Sequence, residues 1–186
     1  MHAPNWFIAL PVDGTFLRDL PPPPEGLRGF RPEDLHLTVA FWGGCSATAA
    51  QAAWATLDRL LLSRPRAPFA YSLAGIVPMG RLPKWSALAA ELREGQSEAM
   101  ALLTALRDPL IAASGGPPDT REPKAHVTLA RPTRRVSSAE RKRGLAWGRD
   151  LRLDEARGTF DRVALYTWAT DRSAGLFQVQ SVRPLG

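Results

Sequence analysis

Cysteine is nearly absent from this chain, histidine is scarce, and no long apolar run occurs. Cys45 is the only cysteine among 186 residues, so the sequence excludes an intrachain disulfide and a cysteine-based metal site. No segment approaches the roughly 20 apolar residues that span a bilayer. The N-terminal stretch also lacks the basic start and the apolar length of a signal peptide. These absences predict a cytoplasmic protein that does not enter a membrane.

Acidic side chains are fewer than basic ones, 18 against 24, which gives a net charge of +6 and a pI near 10.4. Such a surplus favours polyanions such as RNA, DNA or an anionic membrane surface as partners. An arginine-rich genome composition would produce the same excess. Hydrophobic residues make up 45% and charged residues 23%, the balance of a globular protein. We predict one domain over residues 1–186.

Strand-like and helix-like segments are mixed along the chain without strict β-α-β alternation. This order predicts an α+β fold with antiparallel sheets. The stretch 84–92 is ambiguous between strand and helix, and Pro109 should kink or end the second long helix. Strands are predicted at 6–12, 35–42, 69–77, 123–129, 160–169 and 176–182, and helices at 47–62, 98–113 and 138–149.

One four-residue pattern occurs twice, 90 residues apart: His36-Leu37-Thr38-Val39 and His126-Val127-Thr128-Leu129. Side chains alternate between the faces of a strand, so each copy presents an imidazole and a hydroxyl on one face and two aliphatic groups on the other. Threonine makes up about 6% of the chain, so chance alone would rarely place one two residues after both histidines. The alternative is a pair of half-buried strand histidines with satisfied hydrogen bonds.

Two imidazoles and two hydroxyls around one space suit acid–base chemistry on a phosphate ester. Imidazole titrates near pH 6.5, so one ring can accept a proton while the other donates one. A threonine hydroxyl can donate to a non-bridging phosphoryl oxygen. The scheme requires no metal and no cofactor, and the chain offers no Asp/Glu/His cluster with ligand spacing. We therefore predict a metal-independent enzyme.

The two motifs and their flanks resemble the two-histidine phosphoesterase superfamily, in particular its RNA 2′,3′-cyclic phosphodiesterase or 2′-5′ RNA ligase-like branch. Residues 31–43 resemble the first family motif, with Trp42 where leucine is usual. Residues 124–131 resemble the second, with Ala125 where proline is usual. The opening residues 7–11 look like the first strand of that branch. The departures leave the catalytic residue types unchanged.

The resemblance implies a bilobal α+β fold in which two antiparallel sheets with flanking helices are related by a pseudo-twofold axis around a cleft. It implies hydrolysis of a terminal RNA 2′,3′-cyclic phosphate to a 2′-phosphate, with 2′-5′ ligation or cleavage as related activities. His36 would protonate the departing 3′ oxygen and His126 would activate water, although the sequence itself does not distinguish acid from base. Thr38 and Thr128 would bind phosphate, and the expected partner of a monomer is an RNA end.

Three further residues could have either a functional role in the site or an ordinary structural role. The resemblance implies that Arg131 contacts phosphate, but strict alternation places it on the face opposite His126, where it would be an ordinary surface arginine. Phe41 and Trp42 could stack on a base. Trp42 shares strand parity with His36, whereas Phe41 does not and favours core packing. A basic run could follow an RNA backbone or form a solvated surface; it comprises Arg134, Arg135, Arg141, Lys142 and Arg143.

Two other functions remain open at the level of sequence. The enzyme could act on a cyclic phosphate of a small nucleotide or on a 2′-5′ oligonucleotide. A non-catalytic basic RNA-binding module would retain the charge but give no product at any pH.

Overall fold

Nine strands and three α-helices make up the part of the chain that the computed structural model describes, residues 3–64, 66–172 and 175–186. The strands are β1 (Asn5–Pro11), β2 (Leu27–Gly29), β3 (His36–Gly44), β4 (Phe69–Met79), β5 (Ala87–Glu94), β6 (His126–Pro132), β7 (Arg157–Phe160), β8 (Arg162–Trp168) and β9 (Phe177–Pro184). The helices are α1 (Ala47–Ser63), α2 (Gln96–Ala113) and α3 (Ser138–Asp150). The predicted α+β class is confirmed, and the ambiguous stretch 84–92 contributes to a strand.

All strand pairings are antiparallel, in the order β7-β4-β5-β6-β3-β1-β8-β9, with β2 on the free edge of β6. The two motif strands β3 and β6 pair at a single ladder position, Leu37 with Val127. Two four-stranded halves, β3-β1-β8-β9 and β6-β5-β4-β7, therefore run outward from one narrow seam. The two expected sheets are continuous through this seam.

The halves of the sheet are not the halves of the chain. The C-terminal strands β8 and β9 complete the half that contains the first motif, because β8 pairs with β1. The middle strands β4 and β5 join the second motif through the β5–β6 pairing. Each motif strand thus begins its own half, with the other three strands following in matching spatial order.

The helices α1 and α2 cover the back of the sheet with the apolar stripes that their periodicity predicts. Ser46 caps α1 by accepting a hydrogen bond from the Ala49 amide at 3.1 Å. Pro109 does not end α2, since the helix continues to Ala113. The next two residues, Leu110 and Ile111, are buried in the core, and this packing offsets the one backbone hydrogen bond that proline cannot donate.

Helix α3 begins with a capping box, in which Ser137 and Glu140 satisfy each other's backbone amides. Two glycines let it approach the sheet closely: a Cβ on Gly144 would lie 2.6 Å from Leu27, and one on Gly148 would lie 2.9 Å from Ile76. All three helices pack away from the face that carries the motif histidines. No helix in the described part of the chain combines the length and apolar character needed to cross a bilayer.

Candidate active site

The seam between the two halves brings the repeated motifs together. Leu37 pairs with Val127 across antiparallel strands, so the register places His36 opposite Thr128 and Thr38 opposite His126. Leu37 and Val127 are fully buried on the helix side of the sheet. The two imidazoles and two hydroxyls therefore share the opposite face, which we call the catalytic face because it carries the candidate active site.

Each histidine ring is held in the same way. His36 Nδ1 lies 2.7 Å from the backbone oxygen of Asp34, and His126 Nδ1 lies 2.7 Å from that of Lys124. A carbonyl oxygen only accepts, so Nδ1 must carry a hydrogen in both rings. In the neutral form each Nε2 is then the nitrogen with an available lone pair, and in the charged form it is a donor. Either ring can serve as base or as acid at Nε2.

A β-bulge in β6 directs Arg131 to the catalytic face. Leu88 pairs with Ala130 while its neighbour Ala89 pairs with Thr128, so Leu129 is an extra residue without a partner on β5. Alternation is shifted by one beyond this point, and Arg131 shares a face with His126. The expectation that Arg131 lies on the opposite face is wrong. After loss of solvation, which is the larger cause, the charge of Arg131 also lowers the pKa of both motif histidines.

A matching bulge in β3 exchanges the expected positions of Phe41 and Trp42. Ile8 pairs with Ala40 and Ala9 with Thr38, which leaves Val39 as the extra residue. Phe41, on the catalytic face, is 42% exposed, whereas Trp42 is 8% exposed and belongs to the main core. The expectation that Trp42 faces the cleft is wrong, because the bulge reverses strand parity. In both motifs the bulge falls on the apolar residue after threonine, so Phe41 and Arg131 are equivalent positions.

Aromatic rings surround His36. Its ring centroid lies 4.8 Å from that of Phe7, 5.6 Å from Tyr166 and 5.1 Å from Phe177. Loss of solvation among these rings lowers the pKa of His36 to about 4, and the positive charges of Arg131 and His126 contribute in the same direction. Hydrogen bonding to Asp34 opposes the shift. Burial also raises the pKa of Tyr166 to about 12.

His126 has a more polar environment. Glu91 on β5 is its register partner and carries an ion pair of 3.9 Å to Lys124. Loss of solvation lowers the pKa of His126, as do the charges of Arg131 and Lys124, while the carboxylate of Glu91 opposes them. The two otherwise equivalent histidines thus differ in what surrounds them: aromatic rings around His36, and charged groups beside His126.

Asp34 is a buried carboxylate that the sequence did not single out. It is 1% exposed, and its Oδ1 accepts hydrogen bonds from the amides of Leu176 at 2.8 Å and Phe177 at 3.3 Å. Its backbone oxygen holds the His36 ring. Asp34 therefore fixes both His36 and the start of β9, whose first residue contributes an aromatic ring against that histidine.

Arg28 is a second residue that sequence reasoning missed. It lies on the three-residue strand β2 as the register partner of Arg131. Nothing in the sequence around it signals this contact, since the pairing joins distant segments. Among the residues described, no group of three His, Cys, Asp or Glu side chains is placed to hold a metal ion, and metal independence stays a prediction.

Comparison with known proteins was informative only at the level of structure. No protein-family model matches this chain, and no curated protein matches it in sequence. Escherichia coli LigT matches with a TM-score of 0.69 at 19% identity, covering 99% of this chain and 98% of LigT. TT0787 of Thermus thermophilus matches with a TM-score of 0.70 at 20% identity, covering 97% of both chains.

A protein described as a phosphoesterase matches with a TM-score of 0.68 at 18% identity, covering 98% of both chains. LigT has also been crystallised with 3′-AMP, ATP and phosphate. The chain therefore has the fold of these proteins from end to end, and the fold implied by the motif resemblance is confirmed.

Proposed function

We propose that this chain is a two-histidine phosphoesterase that hydrolyses the terminal 2′,3′-cyclic phosphate of an RNA to a 2′-phosphate. The observation that carries the proposal is the convergence of both His-x-Thr pairs on one face, with each Nδ1 held by a carbonyl so that Nε2 is left for proton transfer. The shared fold with a phosphoesterase, and with LigT, which binds 3′-AMP, supports it.

The reaction needs one base and one acid on opposite sides of the phosphorus. A neutral imidazole takes a proton from water as the water oxygen bonds to phosphorus. The bond between phosphorus and the 3′ oxygen breaks, and the protonated imidazole donates its proton to that oxygen. Thr38 and Thr128 donate hydrogen bonds to the non-bridging oxygens, and Arg131 balances their negative charge. The phosphate remains on the 2′ oxygen.

The surroundings of the rings support His36 as the base and His126 as the acid, the reverse of what the family resemblance implies. A ring among aromatic side chains with a pKa near 4 is neutral at physiological pH and can accept a proton. Loss of solvation lowers the pKa of His126 as well, but the carboxylate of Glu91, its cross-strand neighbour, opposes that shift, so His126 is the more readily protonated of the two rings. The assignment is tested separately from the activity itself, with a substrate whose leaving group needs no proton.

The activity is tested with an oligonucleotide that ends in a 2′,3′-cyclic phosphate, in the presence of a chelator. We expect the 2′-phosphate product, and a loss of about 10²–10⁴-fold in kcat for His36→Ala and for His126→Ala. His2→Ala removes the remaining histidine, outside the described residues, and is the matched control. Turnover that survives both motif substitutions, or an absence of product from the wild type, contradicts the proposal.

A small nucleotide is the second candidate substrate, because LigT binds 3′-AMP. A 2′,3′-cyclic mononucleotide offers the same reacting phosphate without the rest of the chain. The same site would cleave or join 2′-5′ linkages if a ribose hydroxyl replaced water. Comparison of kcat/KM for a mononucleotide, an oligonucleotide and a 2′-5′ dinucleotide ranks these activities.

A further inference from the structure

We propose that Arg28 forms a second anion subsite, which binds the phosphodiester one nucleotide 5′ of the reacting cyclic phosphate. The inference rests on the proposed function and deepens it: the substrate would be the end of an oligonucleotide, and a mononucleotide would leave this subsite empty.

The backbone fixes where Arg28 points. In β2, Leu27 packs on the helix side of the sheet with Trp85, Leu88 and Ala130. Arg28 follows it in sequence and therefore lies on the catalytic face. Its register partner is Arg131, which the bulge at Leu129 brings to that same face. Two guanidinium side chains thus stand side by side next to the seam.

Like charges directly opposite each other across a strand pair destabilise a sheet. Among the described residues, neither Arg28 nor Arg131 forms an ion pair with a carboxylate within 4 Å. Asp34 is the acidic group whose charge acts on Arg28. Its Oδ1 accepts from the amides of Leu176 and Phe177, and its Oδ2 is buried without a hydrogen-bond partner in the described part of the chain, so it does not pair with Arg28. An arrangement of this kind is stabilised when an anion binds between or beside the two cations.

Nearby positive charges lower the pKa of both arginines, as expected for cations that lie close together. Loss of solvation lowers the pKa of Arg131, and the charge of Arg28 lowers it further. Loss of solvation and the charge of Arg172 lower the pKa of Arg28. Arg172 itself lies over the Trp168 ring at 4.6 Å. Arg28 therefore lies within electrostatic reach of two other cations, Arg131 and Arg172.

The order of these charges explains why Arg28 would meet the next phosphate. Arg131 acts on both histidines, so it lies near the reacting atoms. Arg28 lies on the next strand, β2, which pairs with β6 as the partner of Arg131 and does not pair with β3. It is separated from β6 by one strand spacing, about 4.8 Å. An anion held by Arg28 would therefore lie farther from the histidines than one held by Arg131, as expected for the phosphodiester next to the reacting phosphate.

The test compares Arg28→Gln with the wild type on two substrates, a tetranucleotide ending in a 2′,3′-cyclic phosphate and a 2′,3′-cyclic mononucleotide. We expect kcat/KM for the tetranucleotide to fall about 10-fold or more through KM, since a hydrogen bond to a charged group is lost, with the mononucleotide unchanged. Arg28→Lys should restore part of the loss. Arg152→Gln, which changes an exposed arginine between α3 and β7, is the matched control.

Equal losses on both substrates, or no loss on either, would overturn the subsite. A binding measurement separates this outcome from failure of the proposed function. It uses a tetranucleotide with a terminal 2′-phosphate and a nucleoside 2′-phosphate, neither of which can react. One possible outcome is that the wild type shows no hydrolysis, while Arg28→Gln weakens binding of the tetranucleotide alone. In that case the subsite stands and the proposed reaction fails. If binding of both ligands is unchanged, the subsite is wrong whatever the activity.

Discussion

At the scale of single residues, the surroundings of His36 govern its protonation and hence a part of the folding free energy. The folded pKa is about 4, against 6.5 for an unperturbed ring. Between these values the unfolded state binds more protons than the folded state, so stability rises with pH. The contribution is fully present above pH 6.5 and is lost as the pH falls through about 4.

We expect the free energy of unfolding of the wild type to decrease by roughly 3 kcal/mol from this one group between pH 6.5 and acid pH below 4. His36→Gln removes the titrating ring and should flatten this part of the curve. Urea unfolding at a series of pH values measures the difference. His126→Gln serves as a comparison at an equivalent position. If the plots of unfolding free energy against pH for His36→Gln and the wild type stay parallel, the aromatic environment does not destabilise the charged ring.

The acid and the base can be distinguished with a substrate whose 3′ bridging oxygen is replaced by sulfur. A thiolate leaves without protonation, because a thiol has a pKa near 8.5 and a ribose hydroxyl is far less acidic. We expect His126→Ala to regain most of its lost activity on the sulfur substrate and His36→Ala to remain inactive. Recovery in His36→Ala alone would restore the assignment that the family resemblance implies.

The sequence allowed the four motif side chains to be identified, because a period of two is enough to place His and Thr on one face. It did not allow the next residues to be placed. Phe41, Trp42 and Arg131 depend on bulges at Val39 and Leu129, and a bulge depends on strand pairing that the local sequence does not determine. Arg28 and Asp34 were missed for the same reason: Asp34 bonds to an amide 142 residues away.

At the scale of elements, the start of β9 is held in place by Asp34. Its carboxylate binds the amides of Leu176 and Phe177, and Phe177 packs edge-on against His36. The contact couples the last strand of the chain to the first motif. The order of strands could not be predicted from the sequence either, since β8 and β9 return to the first motif after the chain has built the other half.

We expect Asp34→Ala to reduce stability by about 1–3 kcal/mol, because at least one buried amide loses its acceptor. If the proposed function holds, it should also lower kcat more than it raises KM, since the loosened Phe177 ring acts on His36 and not on the remote part of the substrate. Thermal unfolding and steady-state kinetics test both effects. Asp13→Ala is the control, as Asp13 makes a similar bond to the Thr15 amide in an exposed turn. Equal behaviour of the two variants would contradict a positioning role for Asp34.

At the scale of the whole molecule, the two halves have related strand order but different chemistry at the cleft. The half built on β3 presents the ring of Phe41, which is 42% exposed, beside the rings that surround His36. The half built on β6, together with β2, presents Arg131 and Arg28. These side chains break the approximate twofold relation of the motifs. An RNA end, whose two directions differ, then has one orientation in which its bases stack on aromatic rings and its phosphates contact the arginines.

The two walls should respond differently to salt. Phe41→Ala removes a stacking surface, so we expect it to weaken oligonucleotide binding by about 1–3 kcal/mol at every salt concentration. Arg28→Gln removes a phosphate contact, so it should reduce the slope of log affinity against log salt by about 0.7, the value for one charge on a single strand. Titrations from low to high salt with the unreactive tetranucleotide separate the effects.

Leu62→Ala, at a 74% exposed position on α1, is the control for loss of an apolar surface group. If Phe41→Ala changed the salt slope and Arg28→Gln did not, the division of the cleft into an aromatic and a cationic wall would be wrong, because stacking releases no counterions whereas phosphate neutralisation does.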